Sequence, residues 1–223
     1  MPRGLSPDKT EATRARLLSA AASLIAEHGY SAFTMKELAE RAGTAVGLVY
    51  RYFPGRESLV LGIYADLARQ TYAHAASLGA GTVGARFAEL LGRKLDALEK
   101  QPRVFRALAH AALAPDASTG VLADETRGTR DEGIAAFTTA VRDATNAPAD
   151  PEAFGRILYG VHLLFVLAWT QRASRKKEDP LRAVVTELAP LLDLAVIASA
   201  SPIFAHALRR VDALARSLLE NSR

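Results

Sequence analysis

Apolar residues recur at spacings of three and four along almost the whole chain, and no stretch shows the alternation of a half-buried strand. The pattern predicts an all-α protein. Residues 10–28 carry Leu17, Leu18, Ala21, Leu24 and Ile25 on one side and stop at Gly29. Residues 56–78 read as a long helix through Leu59, Val60, Ile63, Leu67 and Tyr72, followed by a cluster of Gly79, Gly81 and Gly84. Two short helices, 34–42 and 45–53, lie between these, and six more follow at 83–100, 102–114, 118–145, 151–172, 179–199 and 202–220. Pro102, Pro151 and Pro202 fall at helix starts, where a missing N–H is tolerated. Pro115, Gly120 and the Ala-Pro-Ala-Asp stretch at 147–150 are breaks, and Ser174 to Asp179 is a charged loop. The resulting division is an N-terminal domain, 1–56, joined by the long helix to a larger helical domain, 57–223.

The two short helices carry the most information. Thr34 stands where it caps the first, and Glu37, three residues on, completes a capping box. Met35, Leu38 and Ala42 make an apolar side, with Lys36, Glu40 and Arg41 away from it. Gly43 suits the left-handed conformation that ends a helix. Thr44 is then available to cap the second, whose apolar positions are Leu48 or Val49 and Phe53, and Pro54 stops it. Two short helices at a tight glycine turn are the layout of a helix-turn-helix, whose second helix enters the major groove of duplex DNA. A plain helical hairpin is the competing reading, but it does not need Tyr50, Arg51, Tyr52 and Arg56 crowded at one exit.

Charge supports a nucleic-acid partner modestly. Residues 1–56 hold 8 Lys+Arg against 5 Asp+Glu, a net of +3, whereas the remaining 167 residues hold 20 against 19. There is no cysteine, which excludes disulfides, thiolate metal sites and cysteine nucleophiles. His28, His74, His110, His162 and His206 never fall at metal-ligand spacing, and neither a nucleophile elbow nor a phosphate loop is present. An enzyme, a cofactor and a metal are therefore not expected. The N-terminus lacks the apolar run of a signal peptide. Residues 157–171 are uncharged, but fifteen residues fall short of the ~20 that span a bilayer, and Tyr159, His162 and Thr170 interrupt them. A buried helix in a cytoplasmic protein is the expectation.

An ordered set of short matches points to a family. Ala20-Ala21 and Gly29-Tyr30 flank the end of the first helix, Thr34 and Leu38-Ala39 lie in the second, and Ala42-Gly43 makes the turn. Gly47, Tyr50, Tyr52-Phe53 and Arg56-Glu57 continue the set into the fourth helix. In this order the segment 10–60, about a quarter of the chain, resembles the DNA-binding domain of the TetR family (tetracycline-repressor-type regulators). The resemblance implies that Thr34 and Lys36 reach a phosphate or base edge, that Thr44 caps the recognition helix, and that Val46, Gly47, Leu48 and Arg51 face the groove. It also implies that Tyr50 and Tyr52 bond phosphates and that Arg56 adds a charge at the start of the connector helix; core aromatics are the competing reading for the tyrosines. Three positions depart from the family pattern: Ala45 where serine is frequent, Val46 where a polar or basic residue is frequent, and Leu48 where threonine is frequent. Base readers then reduce to Lys36, Arg51 and apolar contact of Val46 or Leu48 with thymine methyls.

The second domain suggests a subunit interface and a ligand site. Phe154, Ile157, Leu158, Val161, Leu164, Phe165 and Ala168 form one apolar stripe, and Tyr159, Leu163, Val166 and Thr170 another. A helix apolar nearly all round is buried on several sides. With the similar segment 181–197 it predicts a homodimer through a four-helix interface, as the family resemblance also implies, and Leu163 and Val166 are the positions expected to carry it. Phe105, His110, Phe137, Tyr159, His162 and Trp169 are candidates for a small-molecule effector site between helices, with His162 foremost. The function expected is a ligand-responsive repressor released from a palindromic operator by a small apolar molecule. A helical adaptor without DNA binding, or an activator of the same fold, are the alternatives.

Overall fold

The computed structural model describes residues 7–113, 117–172 and 180–220, which contain helices and no strand. In chain order the helices are α1 Pro7–His28, α2 Met35–Arg41, α3 Val46–Tyr52, α4 Arg56–Ala76, α5 Val83–Lys100, α6 Pro102–Leu113, α7 Arg127–Arg142, α8 Pro151–Thr170, α9 Pro180–Ala198 and α10 Pro202–Glu220. The expected helix 118–145 starts late, because turns and a 3-10 segment at Asp124–Thr126 precede α7. Buried Arg130 explains the delay. Its guanidinium binds the carbonyls of Val121 and Ala123 and the hydroxyl of Thr126, occupying acceptors that a continuous helix would have used. The charged loop expected at 174–179 lies outside the described residues.

The chain packs as two compact units, Met1–Ala65 with Gln101–Gly120, and Asp66–Lys100 with Val121–Arg223. The segment 1–56 lies within the first. In that unit Leu17, Leu18, Ala21, Leu24 and Ile25 of α1 meet Phe33, Leu38, Val49, Phe53, Leu59 and Val60, and Val104 and Leu108 of α6 complete the core. Gly62 of α4 is where two helices come close, since a Cβ there would stand 2.9 Å from Leu18 Cδ2 and 3.1 Å from Phe53 Cε1. The Tyr64 hydroxyl donates to the Leu108 carbonyl at 2.9 Å and so pins α6 to α4.

In the second unit α5 packs chiefly on α9, and α7 on α8. Both crossings need glycine. A Cβ at Gly84 would lie 2.0 Å from the Ala189 carbonyl oxygen, and one at Gly155 would lie 2.5 Å from the Thr138 Cα. Asp193 of α9 serves the start of α5, accepting from the Gly84 N–H (2.9 Å), the Thr82 hydroxyl (2.8 Å) and the Asn146 amide (3.0 Å). Partial burial pushes this carboxyl up, but the three hydrogen bonds outweigh it and hold Asp193 below the usual carboxylate range. Buried Arg86 donates to the carbonyls of Ala140, Leu78 and Gly79, tying the loop before α5 to the end of α7. Asp212 of α10 pairs with Arg156 of α8 at 2.7 Å.

At 20 residues α8 is long and apolar enough to cross a bilayer, more so than its uncharged run suggests. Its packing argues for a core helix instead. Leu158, Tyr159, His162 and Trp169 are buried, and α7 and α10 lie against it.

Candidate DNA interface and regulatory core

In the first unit, side chains cap and anchor a two-helix reader. Thr34 Oγ1 accepts from the Glu37 N–H at 3.1 Å while the Glu37 carboxylate accepts from the Thr34 N–H at 2.6 Å, so the capping box forms as expected. These hydrogen bonds, chiefly that from the Thr34 backbone, hold the Glu37 carboxyl below its ordinary range. Helix α2 then ends in a Schellman turn: the Gly43 N–H donates to the Glu40 carbonyl and the Thr44 N–H to that of Ala39, with Gly43 at φ +61. This turn corrects one expectation. Thr44 completes the α2 turn, one residue before the N-cap of α3, which is Ala45, and no side chain caps that helix.

Helix α3 is held from one side. Val49 is wholly buried and Phe53 nearly so, with Tyr52 half-buried against the same core. At 100° per residue this leaves Val46, Gly47, Tyr50 and Arg51 on the outer face, all exposed, with Leu48 half-buried at its flank. A Cβ at Gly47 would meet nothing, so the face is bare at its centre. Thr34 and Lys36 are exposed at the start of α2, and the Lys36 ammonium lies 3.9 Å from Glu40. Arg56 is engaged with the protein: its guanidinium donates to the Ser31 carbonyl and sits 5.9 Å from the centre of the Phe33 ring. The nearby Arg41 is fixed by a two-pronged bond to Glu27, at 2.6 and 2.7 Å.

The effector residues expected from sequence are divided between the units. Phe105 is on α6, packed on the core of the first, and the side chain of His110 lies outside the described residues. Phe137, Tyr159 and His162 come together in the second. The Phe137 ring centre is 4.9 Å from His162 and 6.2 Å from Tyr159, and Phe87 of α5 joins at 5.8 Å. Gly133 makes room, since a Cβ there would strike the Tyr159 ring at 2.6 Å. Trp169 is buried two turns farther along α8. His162 Nδ1 is 2.9 Å from the Tyr159 carbonyl, which only accepts, so Nδ1 carries the proton and Nε2 is left as an acceptor. Burial, helped by the charge of Lys94, depresses the His162 pKa to about 3.

Lys94 was not expected from sequence. It lies on the inward line Phe87–Leu91–Lys94–Leu98 of α5, and a lysine interrupting an apolar stripe is the signal that could have found it. A cleft of about 320 Å³ elsewhere in this unit involves Tyr72, Arg130, Asp131, Arg142 and Glu152, but none of the expected effector residues. Its rim is ionic, with Arg142 paired to Glu152 at 2.8 Å.

The outward faces differ from the expected stripes. Leu163 and Val166 are half-buried, as are Ile157 and Gly160, and the apolar residues of α8 that are exposed are Leu164, at 65%, and Leu167. The reason is rotational: α7 receives the Gly155–Leu158–Tyr159–His162 side, which puts Leu164 on the opposite side. On α9, Val184, Leu191, Leu194 and Ile197 are exposed, as are Ile203, Val211, Leu214 and Leu218 on α10.

The family described as bacterial regulatory proteins, tetR family, matches residues 17–63. Over 185 residues the chain is 30% identical to the HTH-type transcriptional repressor KstR of Mycolicibacterium smegmatis, covering 82% of this chain and 84% of that one. A TetR-family transcriptional regulator from Streptomyces coelicolor has the same fold, with a TM-score of 0.61, 23% identity, and coverage of 95% and 90%. FadR from Bacillus subtilis, solved in complex with stearoyl-CoA, superposes with a TM-score of 0.60 at 14% identity, covering 80% and 96%.

Proposed function

The chain belongs to the TetR family of bacterial regulatory proteins, and from that premise we propose that it is a dimeric repressor that loses its operator when a small, largely apolar molecule enters its second unit. The observation that carries the DNA-binding part is the exposed outer face of α3, Val46, Gly47, Tyr50 and Arg51, on a helix held rigidly from behind by Val49 and Phe53. A face bare at Gly47 lets the backbone approach the base edges, Arg51 supplies the donor fork, and Val46 offers a methyl surface to thymine. Tyr50 and Lys36 lie where backbone phosphates flank the groove, and such contacts set register rather than sequence.

Dimerisation through α8 and α9 is supported by their exposed apolar residues. Gly160 lies among Ile157, Leu164 and Leu167, and its missing side chain lets a partner helix come close. Two such helices per chain make a four-helix interface, and a two-fold axis through it calls for a near-palindromic site. The aromatic interior around Phe137, Tyr159 and His162 supports an apolar effector. So does the stearoyl-CoA held by Bacillus subtilis FadR, which shares this fold. A ligand that prefers the DNA-incompetent state by roughly 100-fold supplies ~2.7 kcal/mol of coupling, and operator DNA then weakens the ligand by the same factor.

The test is footprinting of the full-length protein on the DNA flanking its own coding sequence, followed by binding to the protected duplex across a salt series. Two protected half-sites are expected, with log affinity falling linearly against log salt and a shallower slope for Lys36→Ala. Salt-independent binding, or no protected site, would refute the reading.

A further inference from the structure

We propose that Lys94 is the counter-charge for an acidic head group: the effector taken up by the second unit is a carboxylic acid on an apolar body. The proposal rests on the reading of that unit as effector-binding and narrows the ligand to a chemical class.

Four observations converge on Lys94. It stands on the inward line of α5 between Leu91 and Leu98, both buried, with Phe87 two turns before it in contact with Phe137. A lysine is out of place on such an apolar line, and an ammonium taken from water is costly there unless something pairs with it. Among the described residues its one hydrogen-bond partner is the Thr71 hydroxyl, at 3.1 Å, which gives its own proton to the Leu67 carbonyl. An ammonium donates three hydrogen bonds, so two find no acceptor among the described residues, and no carboxylate among them pairs with it. Lys94 is also only half-buried, yet desolvation alone pulls its pKa down to about 7.

The surroundings define the rest of the ligand. The charge of Lys94 is felt at His162, whose ring lies against Phe137 and Tyr159. The Tyr159 hydroxyl has no hydrogen-bond partner among the described residues, and Nε2 of His162 is an acceptor. One cation and one hydroxyl donor amid aromatic rings suit a single acidic group on a long or ring-shaped apolar body. A carboxylate accepts two hydrogen bonds from the ammonium and restores the missing charge partner, which a neutral head group cannot do.

Direct binding to the full-length protein, without DNA, tests this. The probes are the straight-chain acids from octanoic to stearic and 2-naphthoic acid, each against its own methyl ester, with affinities from isothermal titration. At least one acid should bind tenfold or more tighter than its ester. Lys94→Met should erase that preference while leaving the ester affinity within about twofold, and Lys94→Arg should keep part of it. Ligand-free Lys94→Met should also melt higher than the natural chain, because it removes an unpaired desolvated ammonium. Equal affinities for every acid–ester pair, a full acid preference in Lys94→Met, or a lowered melting temperature for that variant would each overturn the proposal. Operator release is read separately. Lys94-dependent acid binding that leaves DNA bound would sink the repressor reading alone, and release by acid and ester alike would sink only the Lys94 assignment.

Discussion

Ala45 begins the recognition helix without a side-chain oxygen to receive the first N–H groups of α3. Serine at an N-cap typically stabilises by ~0.5–2 kcal/mol relative to alanine, so Ala45→Ser should raise the free energy of unfolding by about that amount in urea titrations. A second residue-scale expectation concerns His162. Its folded pKa is about 3 against an ordinary 6.5, so between those values the unfolded chain binds more protons than the folded one. Stability from this group is complete above pH 6.5 and drains away as pH falls toward 3. His162→Gln, with no proton to gain, should therefore show a flatter fall in urea midpoint between pH 6.5 and 4 than the natural chain.

Between elements, close approach decides most of what the second unit tolerates. Gly84→Ala would drive a Cβ into the Ala189 backbone, which no rotamer can relieve, and α5 must then shift from α9. We expect a loss of about 1–3 kcal/mol in unfolding free energy, the usual range for overpacking. Gly47→Ala, on the open face of α3, should leave stability unchanged or slightly higher while weakening operator binding. Helix number, order and most boundaries were legible because each helix is written in a local apolar period with its own stops. The α2 capping box was legible for the same reason, Thr34 and Glu37 being three apart. What the sequence hid was non-local. Thr44 reads as a cap until the α2 turn extends through it and leaves Ala45 at the N-cap position, and 118–145 reads as one helix until Arg130 claims the carbonyls before it. Two apolar stripes on α8 look equivalent on paper, and only the packing of α7 against the Tyr159 side turns Leu164 outward.

At the scale of the whole molecule, the exposed apolar residues of α8 and α9 are the positions at which the proposed subunit contact is tested. Leu191→Arg, at a site 58% exposed in the single chain, should leave the fold intact and give monomers in sedimentation. A change at half-buried Leu163 should damage stability first. Loss of the dimer should carry operator affinity with it, because one head alone engages only half of a two-fold site.

The first unit is not a continuous stretch of chain. Val104 and Leu108, 2% and 1% exposed, belong to the same core as Leu17, Leu38 and Val49, although the whole of α5 separates them in sequence. A reading head cut out at residue 56 would open its own interior to water. Chimeras that graft the head of one relative onto the regulatory half of another must therefore transplant α6 as well, or repack it. Drift at Val104 or Leu108 is then answerable to the head, whose interior is inherited with a segment far along the chain rather than as one contiguous part.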